Sequence, residues 1–141
     1  MPRTHAIADL TVWMYVSRSC LAPDARSAVA DIVARAQAHN ATVDVTGMLV
    51  FTGARFAQLI EGPPAAVAVL KAAVSADQRH EDLIDLMPEP WGGRRFSSWS
   101  MGYSGPSRYV RAAVEQTLAA SARERRSAAT QLARLMIEFA A

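Results

Sequence analysis

Phe56-Ala57-Gln58-Leu59-Ile60-Glu61-Gly62 is an apolar strand pattern with a single glutamine at its centre. A buried amide must find hydrogen-bond partners, so something polar is expected to face Gln58. On a solvated face, where glutamine is commonest, it would need none. Just upstream, Gly47 to Thr52 is a second apolar run, and the gap Thr52-Gly53-Ala54 suits a tight hairpin with glycine in the turn. Two short strands follow, Gly47 to Thr52 and Arg55 to Glu61, with Gln58 in the middle of the hairpin.

Working outward, Leu10, Val12, Trp13 and Met14 form an apolar run that ends at Tyr15, which reads as a first strand. Asp24, preceded by Pro23, is a candidate N-cap for a helix with Val29, Ile32, Val33 and Ala36 at helical spacing, ending near Asn40. A second helix starts after Gly62-Pro63-Pro64, where proline suits the first turn, carries Val67, Leu70 and Val74 on one face, and stops near Asp77. Leu83 to Met87 reads as a strand cut off by Pro88 and Pro90; Ser98 to Tyr103 reads as another, with a Gly92-Gly93 turn between them.

The order strand, helix, two strands, helix, two strands predicts an α+β, ferredoxin-like sandwich. Two helices lie on one face of a mixed five-stranded sheet. Beyond Gly105-Pro106, one helix runs through Val110, Val114 and Leu118, and another carries Leu132, Leu135, Met136 and Phe139. The division expected is an α+β domain over 1–105 and a helical extension over 106–141. The apolar stripes of the extension need a partner: the free sheet face, another protein or a second copy of the chain.

The 141 residues, 51% apolar and 20% charged, suit one globular domain with a core. No apolar run is long enough to span a membrane and the N-terminus has no secretory pattern, so a cytoplasmic location is expected. Cys20 is the single cysteine, which excludes an intrachain disulfide and a cysteine-based zinc site. Residues 1–105 carry 9 basic and 10 acidic side chains and residues 106–141 carry 6 and 3, so the basic character belongs to the tail. Without aromatic or glycine interleaving, Arg123, Arg125 and Arg126 read as a solvated helix face, and no nucleic-acid partner is expected.

Tyr15, Asn40, Gln58, Trp99 and Met101 together resemble the signature of the BLUF family of blue-light sensors that use FAD. The likeness runs from Leu10 to Tyr103. It rests on Tyr15-Val16-Ser17-Arg18, His39-Asn40 ahead of Thr46-Gly47, Gln58 to Gly62, Asp77 to His80, and Arg94-Arg95-Phe96 before Trp99-Ser100-Met101. The segment between Tyr15 and Asn40 is about one residue longer than the family pattern.

The resemblance implies an FAD whose ring lies between the two helices. Tyr15, His39, Asn40, Gln58, Asp77, Arg79 and His80 would contact it, with Asn40 reading the N3–H and C4=O edge and Arg79 and His80 near the C2=O and ribityl side. Taken alone, Asn40 is a helix C-terminal residue, Arg79-His80 a surface loop, Trp99 a core aromatic, and His39 equally a solvent-facing side chain.

The photochemistry implied is proton-coupled electron transfer from Tyr15 through Gln58. The amide then presents a reversed hydrogen-bond pattern to the flavin and shifts its absorption to the red. Either Trp99 or Met101 lies beside Gln58. The output implied is protein contact with a downstream partner, with C-terminal helices on the sheet face opposite the flavin; a homodimer or higher oligomer is left open. No catalytic or metal centre is expected, since no Gly-x-Gly-x-x-Gly pattern or nucleophile with a base is present. The competing reading is a ferredoxin-like interaction module without a photoactive flavin.

Overall fold

A computed structural model describes residues 10–22, 25–104 and 108–139, with backbone alone for 101–104. The elements are β1 (Thr11–Ser19), α1 (Arg26–Thr42), β2 (Thr46–Phe51), β3 (Arg55–Gly62), α2 (Pro64–Ser75), β4 (His80–Leu86), β5 (Trp99–Ser104), α3 (Arg108–Ala119) and α4 (Arg125–Phe139). They build the expected α+β, ferredoxin-like architecture around one five-stranded sheet in the order β4-β1-β3-β2-β5. β1 runs antiparallel to both β3 and β4, β2 antiparallel to β3, and β5 parallel to β2, which makes the sheet mixed.

The hairpin closes where its sequence predicts. Thr52 N–H bonds Arg55 O at 3.0 Å, Arg55 N–H returns to Thr52 Oγ1 at 3.0 Å, and Gly53 takes a φ of 94°. Gly47 answers a different demand: a Cβ there would lie 2.1 Å from Leu59 O, so only glycine lets β2 run this close to β3.

Because strand side chains alternate, the sheet has two buried faces. Trp13, Tyr15, Leu49, Phe51, Phe56 and Ile60 share one with Val29 of α1 and Val67 of α2. Met14, Val16, Met48, Val50, Ala57 and Leu59 share the other with Val110 and Val114 of α3 and Leu132 and Met136 of α4. The C-terminal helices therefore cover the sheet face opposite α1 and α2. Full burial of each such aliphatic side chain stabilises the fold by roughly 1.5–3 kcal/mol.

Some boundaries differ from the sequence reading. Asp24 lies outside the described residues; α1 starts at Arg26 behind Ala25, without a side-chain cap, and runs to Thr42, past Asn40. β4 begins at His80 rather than Leu83. Asp77 Oδ1 accepts the Arg79 N–H at 2.9 Å, and this tight turn sends the chain straight from α2 into the sheet. β4 ends at Leu86, leaving Met87 exposed.

No helix among the described residues is long and apolar enough to cross a membrane.

Candidate functional site

A cavity of about 240 Å³ opens between α1, α2 and the sheet. Ile32, Ala36, Leu70 and Val74 supply apolar walls from the helices; Leu49 and Phe56 supply the apolar part of the floor. The polar groups come from five places in the chain: Tyr15 on β1, Arg35, His39 and Asn40 on α1, Gln58 on β3, Asp77, Arg79 and His80 at the α2–β4 turn, and Trp99 on β5. Its volume lies below the roughly 300–1,000 Å³ of pockets that engulf a drug-sized ligand, so it suits a flat ring system better than a whole dinucleotide.

At the floor, three side chains form a hydrogen-bonded chain. Gln58 Nε2 donates to Tyr15 Oη at 2.7 Å, and Trp99 Nε1 donates to Gln58 Oε1 at 3.0 Å. The strand register makes the first contact, since Tyr15 stands directly opposite Gln58. The indole N–H can only donate, so it fixes which end of the amide faces which neighbour: oxygen toward Trp99, nitrogen toward Tyr15. Burial holds the Tyr15 phenol pKa well above its ordinary value; the Gln58 hydrogen bond opposes this and the negative charge of Asp77 adds to it.

Asn40, in the last turn of α1, is 2% exposed, and its Oδ1 is buried without a hydrogen-bond partner in the protein. This oxygen is left able to accept a further hydrogen bond at the cavity wall. His39 lines the mouth and is exposed. Arg79 and Asp77 form an ion pair at 2.5 Å, whose hydrogen bonds hold the Asp77 carboxyl below its usual pKa and raise that of the guanidinium.

Both nitrogens of His80 are committed inside the protein. Nε2 lies 2.7 Å from Val74 O, which can only accept, so Nε2 carries the proton; Nδ1 of a neutral ring then accepts from Ser17 Oγ at 2.6 Å. His80 thus presents its ring to the cavity and packs edge-on to Tyr15, with centroids 5.8 Å apart. Met101 stands opposite Leu49 in the β5–β2 register; the expectation for its side chain lies outside the described residues.

Sequence reasoning missed Glu61. It is fully buried, and its carboxylate accepts the backbone N–H groups of Arg95 (2.6 and 3.0 Å) and Phe96 (2.9 Å). Arg94 adds bonds to Thr46 Oγ1 (2.7 Å) and Asp44 O (2.8 Å). The loop before Trp99 is tied down by these contacts. The available signal was parity: Glu61 lies an odd number of residues from Gln58, and hence on the opposite face.

The site is thus a polar-ended slot between two helices on one face of a ferredoxin-like sheet. Residues 10–102 match the family model "BLUF: Sensors of blue-light using FAD", and the chain belongs to that family of flavin-based photoreceptors. The chain is 36% identical over 73 residues to the Escherichia coli (strain K12) protein named blue light- and temperature-regulated antirepressor BluF, covering 52% of this chain and 18% of that one. It is 34% identical over 99 residues to the Euglena gracilis photoactivated adenylate cyclase subunit beta, covering 70% of this chain and 12% of that protein. It therefore spans less than a fifth of the length of these curated relatives.

Among solved structures, the dark state of BlrB, a BLUF protein, superposes with a TM-score of 0.65 at 32% identity, covering 89% of this chain and 97% of that one. The photo-activated state of BlsA, at 19% identity, shares the fold with a TM-score of 0.71 over 91% of this chain and 94% of that one.

Proposed function

We propose that this chain is a blue-light receptor that holds FAD with its ring in the α1–α2 cavity and signals through contact with another protein. The observation that carries this reading is the buried chain Tyr15–Gln58–Trp99 at the cavity floor, two hydrogen bonds long, with an amide in the middle. When bound, the flavin would supply visible absorption and an excited state able to accept an electron.

Asn40 would receive a ring N–H on its unpartnered Oδ1 and fix the ring's orientation. The apolar walls from Ile32, Ala36, Leu70 and Val74 would exclude water from the ring faces. Arg79, pinned by Asp77, would place a positive charge at the cavity edge.

Tyr15 would release an electron and its phenol proton would follow, since a buried phenol cation is costly to maintain. In the present arrangement Gln58 points its N–H₂ at Tyr15, so the amide has to turn or tautomerise before its oxygen can accept that proton. Turning it would put the amide nitrogen against the Trp99 N–H, donor against donor, and Trp99 would have to move. A bistable contact between β3 and β5 is what a switch requires.

The output would pass along β5 to α3 and α4, both on the opposite face. Relatives carry antirepressor or adenylate cyclase in their names, which supports a downstream protein as the receiver of the signal.

The test is the visible spectrum of the purified protein, dark and after blue light, beside Gln58→Leu, with the released cofactor identified by mass. A bound FAD, a reversible red shift and no shift in the variant support the reading; protein that takes up no flavin leaves a ferredoxin-like interaction module.

A further inference from the structure

We propose that Trp13 is a second redox-active side chain of this protein: it returns an electron to oxidised Tyr15 while passing its indole proton to Asp85, and so competes with rearrangement at Gln58. The proposal rests on the photoreceptor reading, in which the oxidant is a photo-excited flavin.

The geometry starts from the strands. Trp13 and Tyr15 lie two apart on β1 and share a face, with ring centroids 4.8 Å apart and planes tilted by 34°. Trp13 is 6% exposed and lies behind Tyr15, outside the cavity lining. On β4, Asp85 stands opposite Tyr15, which brings its carboxylate diagonally across to Trp13. Trp13 Nε1 donates to Asp85 Oδ1 at 2.7 Å, while the Asp85 side chain is 53% exposed. The sequence of groups is therefore cavity, phenol, indole, carboxylate, solvent.

The three tryptophans differ in what their N–H groups meet. Trp99 donates to an amide oxygen, a poor proton acceptor, and Trp91 Nε1 is buried without a partner. Trp13 alone of the three donates to a carboxylate, a base able to take the proton. Lys71 sharpens the requirement. Its Nζ sits 5.7 Å from the Trp13 ring centroid and 3.6 Å from Asp85 Oδ2, and a fixed positive charge over the ring opposes a second one on the indole. Electron loss from Trp13 must then be accompanied by loss of its N–H proton.

The step balances. Tyr15 that has lost one electron but kept its proton carries one positive charge. Trp13 gives it one electron and gives Asp85 one proton, leaving a neutral tyrosine, a neutral indolyl radical and a neutral carboxylic acid. Return of the electron from the reduced flavin to Trp13, and of the proton from Asp85, restores the starting state without net chemistry. Each oxidised Tyr15 thus has two outcomes: its proton moves toward Gln58, or its missing electron is replaced from Trp13.

The experiment uses the full chain loaded with FAD, as wild type, Trp13→Phe, Asp85→Asn and Lys71→Met. Flash-induced absorption and electron paramagnetic resonance would identify the indolyl radical. Peptide mass spectrometry after prolonged illumination in air would locate oxygen added to tryptophan. The expected result is an indolyl signal in wild type that is lost in Trp13→Phe and Asp85→Asn and larger in Lys71→Met. The yield of the red-shifted state should rise in the first two variants, and oxygen addition should map to Trp13 in wild type but not in Asp85→Asn. Asp85→Asn changes a half-exposed side chain and keeps Trp13, so the test survives a folding defect in Trp13→Phe. A red shift without an indolyl radical, or a radical that persists in Trp13→Phe, overturns the relay alone; a wild type with no light response overturns the photoreceptor reading and the relay with it.

Discussion

Trp99 and Gln58 are joined by a hydrogen bond of 3.0 Å from a group that can only donate to one that can do either, so the indole dictates the dark orientation of the amide. Trp99→Phe keeps an aromatic ring in the core but leaves the buried Gln58 Oε1 without its donor. Loss of that partner should lower stability by about 1–3 kcal/mol in denaturant unfolding. In flavin-loaded protein the amide should populate both orientations, so the dark spectrum should already lie toward the red and the light-induced shift should shrink. A wild-type dark spectrum with a full shift would show that Trp99 does not set the amide.

Glu61→Ala should be among the costlier single changes in the chain. It strips the acceptor from the Arg95 and Phe96 N–H groups beneath the loop and leaves a hole where a fully buried side chain stood. The expected loss is about 2–4 kcal/mol, from unsatisfied donors plus the cavity. Glu61→Gln keeps one oxygen able to accept and should recover part of it. Denaturant midpoints would measure both. Trp99 fluorescence, read in a Trp13→Phe and Trp91→Phe background, should move toward that of exposed indole in Glu61→Ala, because the loop leads directly into β5.

How far these contacts could be read from sequence follows from their range. The β2–β3 hairpin was legible because alternation and a glycine turn are local signals. The cost of misplacing β4 was equally local: an aspartate side chain mimicking a turn at Asp77–Arg79 replaced the longer loop that the apolar run suggested. The partners of Gln58 lie 43 and 41 residues away, and no periodicity in β3 names them. The family resemblance gathered the cavity residues, but it could not show that both nitrogens of His80 are used inside the protein. Nor could it show that Glu61 reaches a loop more than thirty residues on, since that bond depends on how the loop folds back.

The Tyr15 phenol should resist titration. Its folded-state pKa is raised by burial, so the native protein keeps it neutral above pH 10, where an unfolded tyrosine ionises at about 10. The sign follows by linkage: the contribution is fully present below the unfolded value and is lost as pH rises through the folded one. Across pH 9–12 folded wild type should therefore show the same tyrosinate absorbance as Tyr15→Phe, and the ionisation of Tyr15 should appear only when the protein unfolds. Tyr15→Phe should remove that late step and lessen the alkaline loss of stability. Ionisation of Tyr15 at an ordinary pH in folded protein would contradict the buried hydrogen-bonded site.

Leu132 of α4 is 2% exposed and packs with Met14, Leu59 and Met136 on the sheet face away from the cavity. Leu132→Ala should cost about 2–5 kcal/mol, the usual range for a buried leucine whose surroundings only partly collapse. The direction of its effect on the cavity is what separates a structural cap from a coupled element. If α4 only shields the sheet, flavin affinity and the size of the red shift should stay at wild-type values under conditions where the variant is folded, and the whole cost should appear in the denaturant midpoint. If α4 carries the signal from β5, the loosened back face should favour the displaced position of Trp99, and the lit state should return to dark more slowly than in wild type. Dark recovery measured at a denaturant-free temperature well below the unfolding midpoint distinguishes the two, because a purely structural loss would leave that rate unchanged.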